Sequence, residues 1–416
     1  MELHETEQQT AERVLLVSVD TGEFDAEVSL AELAELADTA GGIVVETAIQ
    51  KKEAPDKATC LGSGRAEELA AQCAAEDIDL VILDRELSPT QLRNLEDIFP
   101  CRVIDRTMLI LDIFAGRALS AEGRLQVELA QLRYMLPRLT GQGGALSRLG
   151  GGIGTRGPGE TKLESDRRHI RRRIAAIGEQ LEKVENQRTL RRQRRRKDGI
   201  PTVALVGYTN AGKSTLLNYL TDAGVLAEDK LFATLDPTAR ALRLPDGREV
   251  MLVDTVGFVR RLPHQLVKAF RSTLEEAVEA DVLLNICDAS SPHAAEHLRV
   301  TGDLLMELGC GEHPIIRVMN KCDLVDEVDT DREHPAVCIS AITGAGVQVL
   351  LQAVMEALPP DRRKVNLLLP YNQGALAERC RRDGQVETEE YVPEGVAMTV
   401  TLGARLLAET EEYVVE

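Results

Sequence analysis

Aromatic residues are scarce in this chain: six phenylalanines, six tyrosines and no tryptophan in 416 residues. A surface that reads single-stranded nucleic acid by stacking bases on rings is therefore not expected. The eight cysteines are scattered, as at Cys60, Cys101, Cys287 and Cys380, and none sits in a Cys-x-x-Cys spacing. That removes the usual signs of structural zinc and of a redox pair, and most of them read as small buried apolar residues kept reduced. No run approaches the roughly 18 apolar residues of a membrane span. The opening Met-Glu-Leu-His-Glu-Thr-Glu lacks the basic and apolar pattern of a signal peptide, so a cytoplasmic protein is expected.

Positive charge is also in deficit, and the chain carries a net −19. It is concentrated instead. Residues 166–197 hold thirteen lysines or arginines against four acidic residues, so one segment offers cations while the remainder repels polyanions. Arg167, Arg168, Arg171, Arg172, Arg173, Arg191, Arg192, Arg194, Arg195 and Arg196 supply most of that charge, and Arg156 lies just upstream. With so few aromatics, folded RNA contacted through its backbone fits better than a single strand. A basic face that is merely solvated is the competing reading.

The length suggests about three domains, and 44% hydrophobic content is enough for several cores. Up to about residue 115, apolar runs (Val14–Val19, Ile43–Val45, Leu80–Leu83, Cys101–Ile104) alternate with helical patterns, which predicts an α/β domain with a largely parallel sheet. Gly62-Ser63-Gly64-Arg65 reads as a turn before a helix, because no Lys-Ser or Lys-Thr follows it. Leu125, Leu129, Leu132, Leu136 and Leu139 form one apolar stripe, and Ile170, Ile174, Ile177, Leu181 and Val184 form another. The glycine-rich stretch 141–159 separates them, so an antiparallel helical hairpin with a long tip is expected over 116–198.

The chemistry is carried by five elements between Gly207 and Ile342. Gly207-Tyr208-Thr209-Asn210-Ala211-Gly212-Lys213-Ser214 follows the strand-like Thr202–Val206 and precedes a helical pattern. Glycines in that context let backbone N–H groups and a helix N-terminus face phosphate oxygens, with Lys213 on the β and γ charges and Ser214 available to Mg²⁺. Asn320-Lys321-Cys322-Asp323 follows another apolar run, and a carboxylate at Asp323 matches the paired N–H donors of guanine, which adenine lacks. Asp254-Thr255-Val256-Gly257 ends a third apolar strand and places a carboxylate near the metal and a glycine near the γ-phosphate. Phe232-Ala233-Thr234-Leu235-Asp236 lies between, with Thr234 as the second protein ligand to Mg²⁺ and Thr238 as its competitor. Ser340-Ala341-Ile342 closes the set beside the base. Lys213, Thr234 and Gly257 are the candidate catalytic groups.

One position departs from the Ras-like mechanism. The residue after the Asp-x-x-Gly glycine is Phe258, where a glutamine would orient the attacking water. Slow intrinsic hydrolysis stimulated by a partner is expected, unless His264 or Gln265 takes the glutamine's place.

With these residues in view the chain resembles the HflX family of ribosome-associated GTPases, within the Era and Obg group. Beyond the phosphate loop, the resemblance rests on Phe232–Thr238, on Asp254–Phe258 with its hydrophobic substitution, and on Gly151–Thr161. It implies a multi-domain α/β protein with four parts. These are an N-terminal α/β domain (1–115), the hairpin (116–198), a P-loop GTPase domain (199–359) and a small C-terminal α/β domain (360–416). It implies GTP as substrate, GDP as product, Mg²⁺ as cofactor, and the large ribosomal subunit and its rRNA as partner, with a role in ribosome splitting or rescue. A monomer is expected. The alternatives are a signalling switch with protein effectors, or an RNA-binding scaffold that uses GTP structurally.

Overall fold

The computed structural model describes residues 11–139, 162–198, 200–221, 231–261, 263, 276–326, 335–359 and 362–415. The chain divides into two compact units. The first comprises Met1–Leu181 with Asp229–Leu235 and Val259–Arg271; the second comprises Glu182–Glu228, Asp236–Phe258 and Ser272–Glu416.

In the first unit a parallel sheet of order β2-β1-β3-β4 is built from β1 (Arg13–Asp20), β2 (Ile43–Lys51), β3 (Leu80–Leu83) and β4 (Arg102–Asp105). The inner strands β1 and β3 are near-continuous buried apolar runs, as expected of a parallel sheet covered on both faces. Helix α1 (Ala26–Thr39) starts where the Asp25 carboxylate accepts the N–H groups of Glu27 and Val28, and it buries Leu30, Leu33, Leu36 and Ala37 at helical spacing. Helix α2 (Ser63–Ala75) begins directly after Gly62, so the Gly-Ser-Gly stretch is a turn into a helix. Helix α3 (Pro89–Ile98) carries a capping box between Ser88 and Gln91. Helix α4 (Arg106–Arg117) is capped by Asp105, which also accepts the Leu87 N–H at 2.9 Å.

Helices α5 (Ala121–Met135) and α6 (Lys162–Asp198) form the hairpin. Arg167 donates to the Leu139 carbonyl at 2.8 Å, and Arg173 forks onto Glu128 at 2.6 and 2.7 Å. Contacts that step forward on α6 step backward past α5, which makes the pair antiparallel. Val127, Leu129, Ala130, Ile170 and Ile177 are buried. The expected tip, with Arg156, lies outside the described residues, as do the side chains of Arg191, Arg192, Arg194, Arg195 and Arg196, whose backbone continues α6.

The second unit holds a six-stranded sheet of order β10-β9-β8-β5-β7-β6, made from β5 (Thr202–Gly207), β6 (Thr238–Arg243), β7 (Glu249–Asp254), β8 (Val282–Asp288), β9 (Ile315–Asn320) and β10 (Ala336–Cys338). Only β6 runs antiparallel. Helices α7 (Lys213–Thr221), α8 (Ala294–Glu307) and α9 (Val347–Ala357) belong to this part. Its core is Val203, Leu205, Leu216, Leu217, Leu252, Leu284, Ile286, Val318 and Leu350 with their neighbours. Strand β5 pairs with β7 on one side and β8 on the other, so its carboxyl end opens at the reversal of strand order where α/β sheets bind ligands. The same unit carries an antiparallel sheet β12-β13-β11-β14, from β11 (Arg362–Leu369), β12 (Gln385–Val392), β13 (Gly395–Gly403) and β14 (Val414–Val415), with α10 (Gly374–Asp383) and α11 (Ala404–Thr410). Strand β12 was not expected from the sequence. Its QVETEEYV is polar on both faces, and pairing with the apolar β13 holds it as an edge strand. Among the described residues no helix is long and apolar enough to cross a membrane.

Candidate nucleotide site

The phosphate loop leaves β5 through two backbone positions that a side chain would obstruct. Gly207 has φ +149°, and a Cβ there would lie 2.1 Å from the Ile286 carbonyl oxygen. Gly212 has φ +90°, with Asn320 Nδ2 2.2 Å from where a Cβ would stand. Asn210 sits between them in the left-handed region at φ +60°, which asparagine tolerates better than most residues. The result is a loop that hands directly into the N-terminus of α7, where unpaired N–H groups favour an anion.

Lys213 is 6% exposed and donates to the carbonyls of Gly207 at 3.1 Å and Tyr208 at 2.8 Å. Burial lowers its pKa to about 8, with the Asp254 carboxylate opposing the fall. In the folded chain this value lies below the unfolded one. The Lys213 contribution to stability is therefore least favourable below pH 8 and improves as pH rises toward the ordinary lysine value. Phosphate oxygens favour the charged ammonium, so binding above pH 8 takes up a proton. Affinity for GDP is expected to hold near pH 7 and then to fall by up to about tenfold per pH unit above 8. Calorimetry at pH 8.5 in two buffers of different ionisation enthalpy measures the uptake directly, and an identical apparent enthalpy in both would refute it.

Ser214 Oγ donates to Asp254 Oδ2 at 2.7 Å, bringing a hydroxyl and a fully buried carboxylate together at the mouth of β7. Two hard oxygens suit Mg²⁺, which binds through few protein ligands and completes its shell with water and phosphate. Thr209 Oγ1 is buried with no hydrogen-bond partner among the described residues, a polar atom in the phosphate loop that a ligand oxygen could satisfy.

The Asp-x-x-Gly segment is fastened to the phosphate loop by main chain. Thr209 N–H donates to Phe258 O at 2.8 Å, and Phe258 N–H donates to Gly207 O at 3.1 Å. Thr255 Oγ1 donates to Leu205 O at 2.7 Å, and Val256 is buried. Gly257 is wedged so closely that a Cβ would meet Thr209 Cγ2 at 2.8 Å, Thr209 Cα at 2.9 Å and Lys213 Nζ at 3.0 Å. The Phe258 ring is 1% exposed. It is a packed anchor, and it orients no water. His264 and Gln265 lie outside the described residues.

At the other end of the site, Asn320 is 2% exposed; its Nδ2 donates to Ala211 O at 2.8 Å and its Oδ1 accepts from Ala341 N at 2.9 Å. One side chain thus ties the phosphate loop to the Ser340–Ile342 loop. Lys321, at φ +63°, pairs with Asp288 Oδ2 at 2.7 Å. Burial raises the Asp288 carboxyl, but Lys321 and Ser290 outweigh it and hold the group below its ordinary value. Asp323 stands exposed at the start of the next turn. Ser340 Oγ accepts the Thr343 N–H at 3.2 Å, and Ile342 is 75% exposed. Asp288 was missed from the sequence, since nothing local joins it to Lys321. Tyr208 adds a second unforeseen contact, stacked on His297 of α8 with ring centroids 3.9 Å apart.

Phe232, Ala233, Thr234 and Leu235 belong to the first unit. Phe232 is 1% exposed at φ +53°, and its ring meets Phe114 edge-on at 4.6 Å, while Thr234 is half-buried and Asp236 opens the return into the second unit. In that first unit Arg261, also left-handed at φ +50°, reaches Asp84 Oδ1 at 2.7 Å and lies 3.8 Å over the Phe24 ring. Arg106 joins the same carboxylate at 3.0 Å, pairs with Glu32, and donates to Arg260 O at 3.1 Å. Asp84, Arg106 and Arg261 line a cavity of about 430 Å³ with Arg85 and Thr107. Its arginines are matched internally, Arg85 by Glu23 at 2.8 Å, and none of the expected nucleotide contacts lines it.

Of the basic residues on α6, Arg167 and Arg173 are engaged by Leu139 and Glu128, and Arg168, Arg171 and Arg172 are exposed.

Three families match successive parts of the chain: one described as GTP-binding GTPase N-terminal over residues 27–115, one as GTP-binding GTPase Middle Region over 117–195, and one as 50S ribosome-binding GTPase over 202–321. Among curated relatives, the GTPase HflX of Caldanaerobacter subterraneus subsp. tengcongensis is 51% identical over 97% of this chain and 94% of its own length. That of Lacrimispora saccharolytica is 48% identical over 95% of each chain. The Escherichia coli K12 protein is 45% identical over 91% of this chain and 89% of its own.

Proposed function

The chain belongs to the HflX family of GTPases, and from that premise we propose that its hydrolysis of GTP to GDP and phosphate is coupled to the large ribosomal subunit. The observation that carries the reading is the joined site of the second unit, where Asn320 links the phosphate loop to the base loops and Phe258 fastens the γ-phosphate segment without reaching water. A site so assembled binds GTP yet lacks its own side chain for positioning the nucleophile at residue 258, which is what a partner-stimulated enzyme requires. The description 50S ribosome-binding GTPase over 202–321 and the exposed arginines of α6 support the choice of partner.

In this reading Gly207–Ser214 cradle the phosphates, Lys213 neutralises charge on the γ-phosphate, Gly257 offers its N–H there, and Asp323 accepts the guanine N–H pair while Lys321 lies along the base. Ser214 and Thr234 would hold Mg²⁺, with Asp254 through its water shell. The ion, when bound, neutralises charge that develops on the phosphates. Arg171 and Arg172 contact rRNA backbone, and Arg156, Arg167, Arg168, Arg173, Arg191, Arg192, Arg194, Arg195 and Arg196 are the further candidates for that role. The four-part division at 115, 198 and 359, a cytoplasmic monomer, and a role in splitting or rescuing ribosomes belong to the same proposal.

Turnover by the protein alone, with large subunits, and with naked rRNA at fixed salt tests it. Stimulation by subunits of about a thousandfold is expected, the low end of what a partner's transition-state contacts supply to other GTPases. Intact GTP binding with no stimulation would favour a signalling switch or a scaffold and would reduce α6 to a solvated face.

A further inference from the structure

Cys322 lies inside the guanine motif, and Cys338 lies sixteen residues later at the end of β10. No Cys-x-x-Cys spacing marks them as a pair; the fold brings them together. Cys338 is the register partner of Met319 across the parallel β9/β10 ladder. The Met319 carbonyl accepts the Ile339 N–H at 2.8 Å and Cys322 Sγ at 3.1 Å, and Cys322 N–H donates to Ile339 O at 3.1 Å. The two thiols are near enough that Cys338 helps to raise the Cys322 thiol. Cys338 is exposed and Cys322 partly exposed, whereas five of the other six cysteines are buried.

We infer that Cys322 and Cys338 form a reversible disulfide on exposure to hydrogen peroxide, and that this bond loosens the guanine loop and speeds nucleotide release. The second half rests on reading Asp323 as the guanine acceptor. Burial first, and Cys338 second, push the Cys322 thiol up to about 11, and Cys338 is the more exposed sulfur of the two, so peroxide meets Cys338 first. Its sulfur attacks a peroxide oxygen; the O–O bond breaks, hydroxide leaves and is protonated to water, and Cys338 becomes a sulfenic acid. Cys322, giving up its proton, attacks that sulfur; the S–S bond forms, the S–O bond breaks, and the departing hydroxide becomes a second water. Two thiols lose two electrons and two protons, and one peroxide is reduced to two waters.

A covalent bond requires the sulfurs to close to about 2.05 Å. Cys322 must then leave the Met319 carbonyl, and its neighbours move with it. Lys321 is held in the left-handed region by its pairing with Asp288, and Asp323 follows on the other side. A shift of a fraction of an ångström at that carboxylate degrades a paired hydrogen bond whose geometry is fixed by the base.

The full-length protein, loaded with a fluorescent N-methylanthraniloyl GDP, is treated with hydrogen peroxide and then with dithiothreitol. A Cys322–Cys338 cross-linked peptide in the mass spectrum and GDP release faster by about tenfold, corresponding to the loss of one hydrogen bond, are expected, both reversed by dithiothreitol. Cys338→Ser should bind GDP normally when reduced and show no peroxide response. Cys101→Ser, which removes the other neighbouring pair, with Cys73, should respond as the wild type does. Absence of the cross-linked peptide overturns the disulfide. A cross-link with unchanged release overturns the coupling. A reduced protein that bound no labelled GDP would instead sink the guanine reading, and the coupling with it, leaving the peptide to decide the bond alone.

Discussion

Asp323→Asn is expected to weaken GTP and GDP binding by at least about a hundredfold and to bring xanthosine nucleotides into range, because a site built for paired donors rejects a base that leaves its polar groups unmatched. In the proposed site the carboxylate would accept from both the ring N–H and the exocyclic amine of guanine. An asparagine offers one acceptor and one donor, so its NH₂ faces the guanine amine while xanthine presents a carbonyl at that position. Asp323 is exposed and is outside the hydrophobic core of its unit, so the substitution should leave folding intact. Asn320, not Asp323, joins the surrounding loops. Competition of GDP, xanthosine diphosphate and ADP against labelled GDP measures it. Unchanged GDP affinity would show that Asp323 does not touch the base.

Gly257→Ala should lower single-turnover GTP hydrolysis by about a hundredfold, the order of loss that an ångström of misplacement at reacting groups produces. The new methyl would stand 2.8 Å from Thr209 Cγ2, 2.9 Å from Thr209 Cα and 3.0 Å from Lys213 Nζ. Its segment cannot retreat cheaply, because the two main-chain bonds between Phe258 and the phosphate loop hold it. The strain falls instead on Thr209 and the Lys213 ammonium, both on the γ-phosphate side of the proposed site. GDP, which lacks that phosphate, should lose much less affinity. Gly302→Ala on α8, where a Cβ meets nothing within 4 Å, is the neutral comparison. Equal turnover in both variants would remove Gly257 from the catalytic set.

The phosphate loop was legible because its backbone demands are written in residue type: glycine at 207 and 212 where φ is positive, and a lysine opening the helix. The parallel strands were legible as apolar runs, and β12 was not, since its eight residues alternate weakly and depend on β13 for their place. Partnerships across long separations stayed hidden. Arg173 has no acidic residue three or four positions away on its own helix, yet Glu128, 45 residues earlier on α5, accepts from its Nε and Nη2. Lys321 and Asp288, and likewise Cys322 and Cys338, meet only because β8, β9 and β10 lie side by side. The burial of Phe258 followed no periodicity, because one residue in a loop has none to follow.

The chain crosses between its compact units at Leu235/Asp236 and again at Phe258/Val259. A fragment cut to residues 199–359 would keep the motifs of a nucleotide switch while stripping Phe232 of Phe114 and Arg261 of Asp84. A ring buried to 1% exposure would face water, and a left-handed arginine would lose the carboxylate and the aromatic face that hold it. Rates measured on such a fragment would describe loops released from their anchorage. The minimal object whose kinetics represent this enzyme therefore includes the first unit.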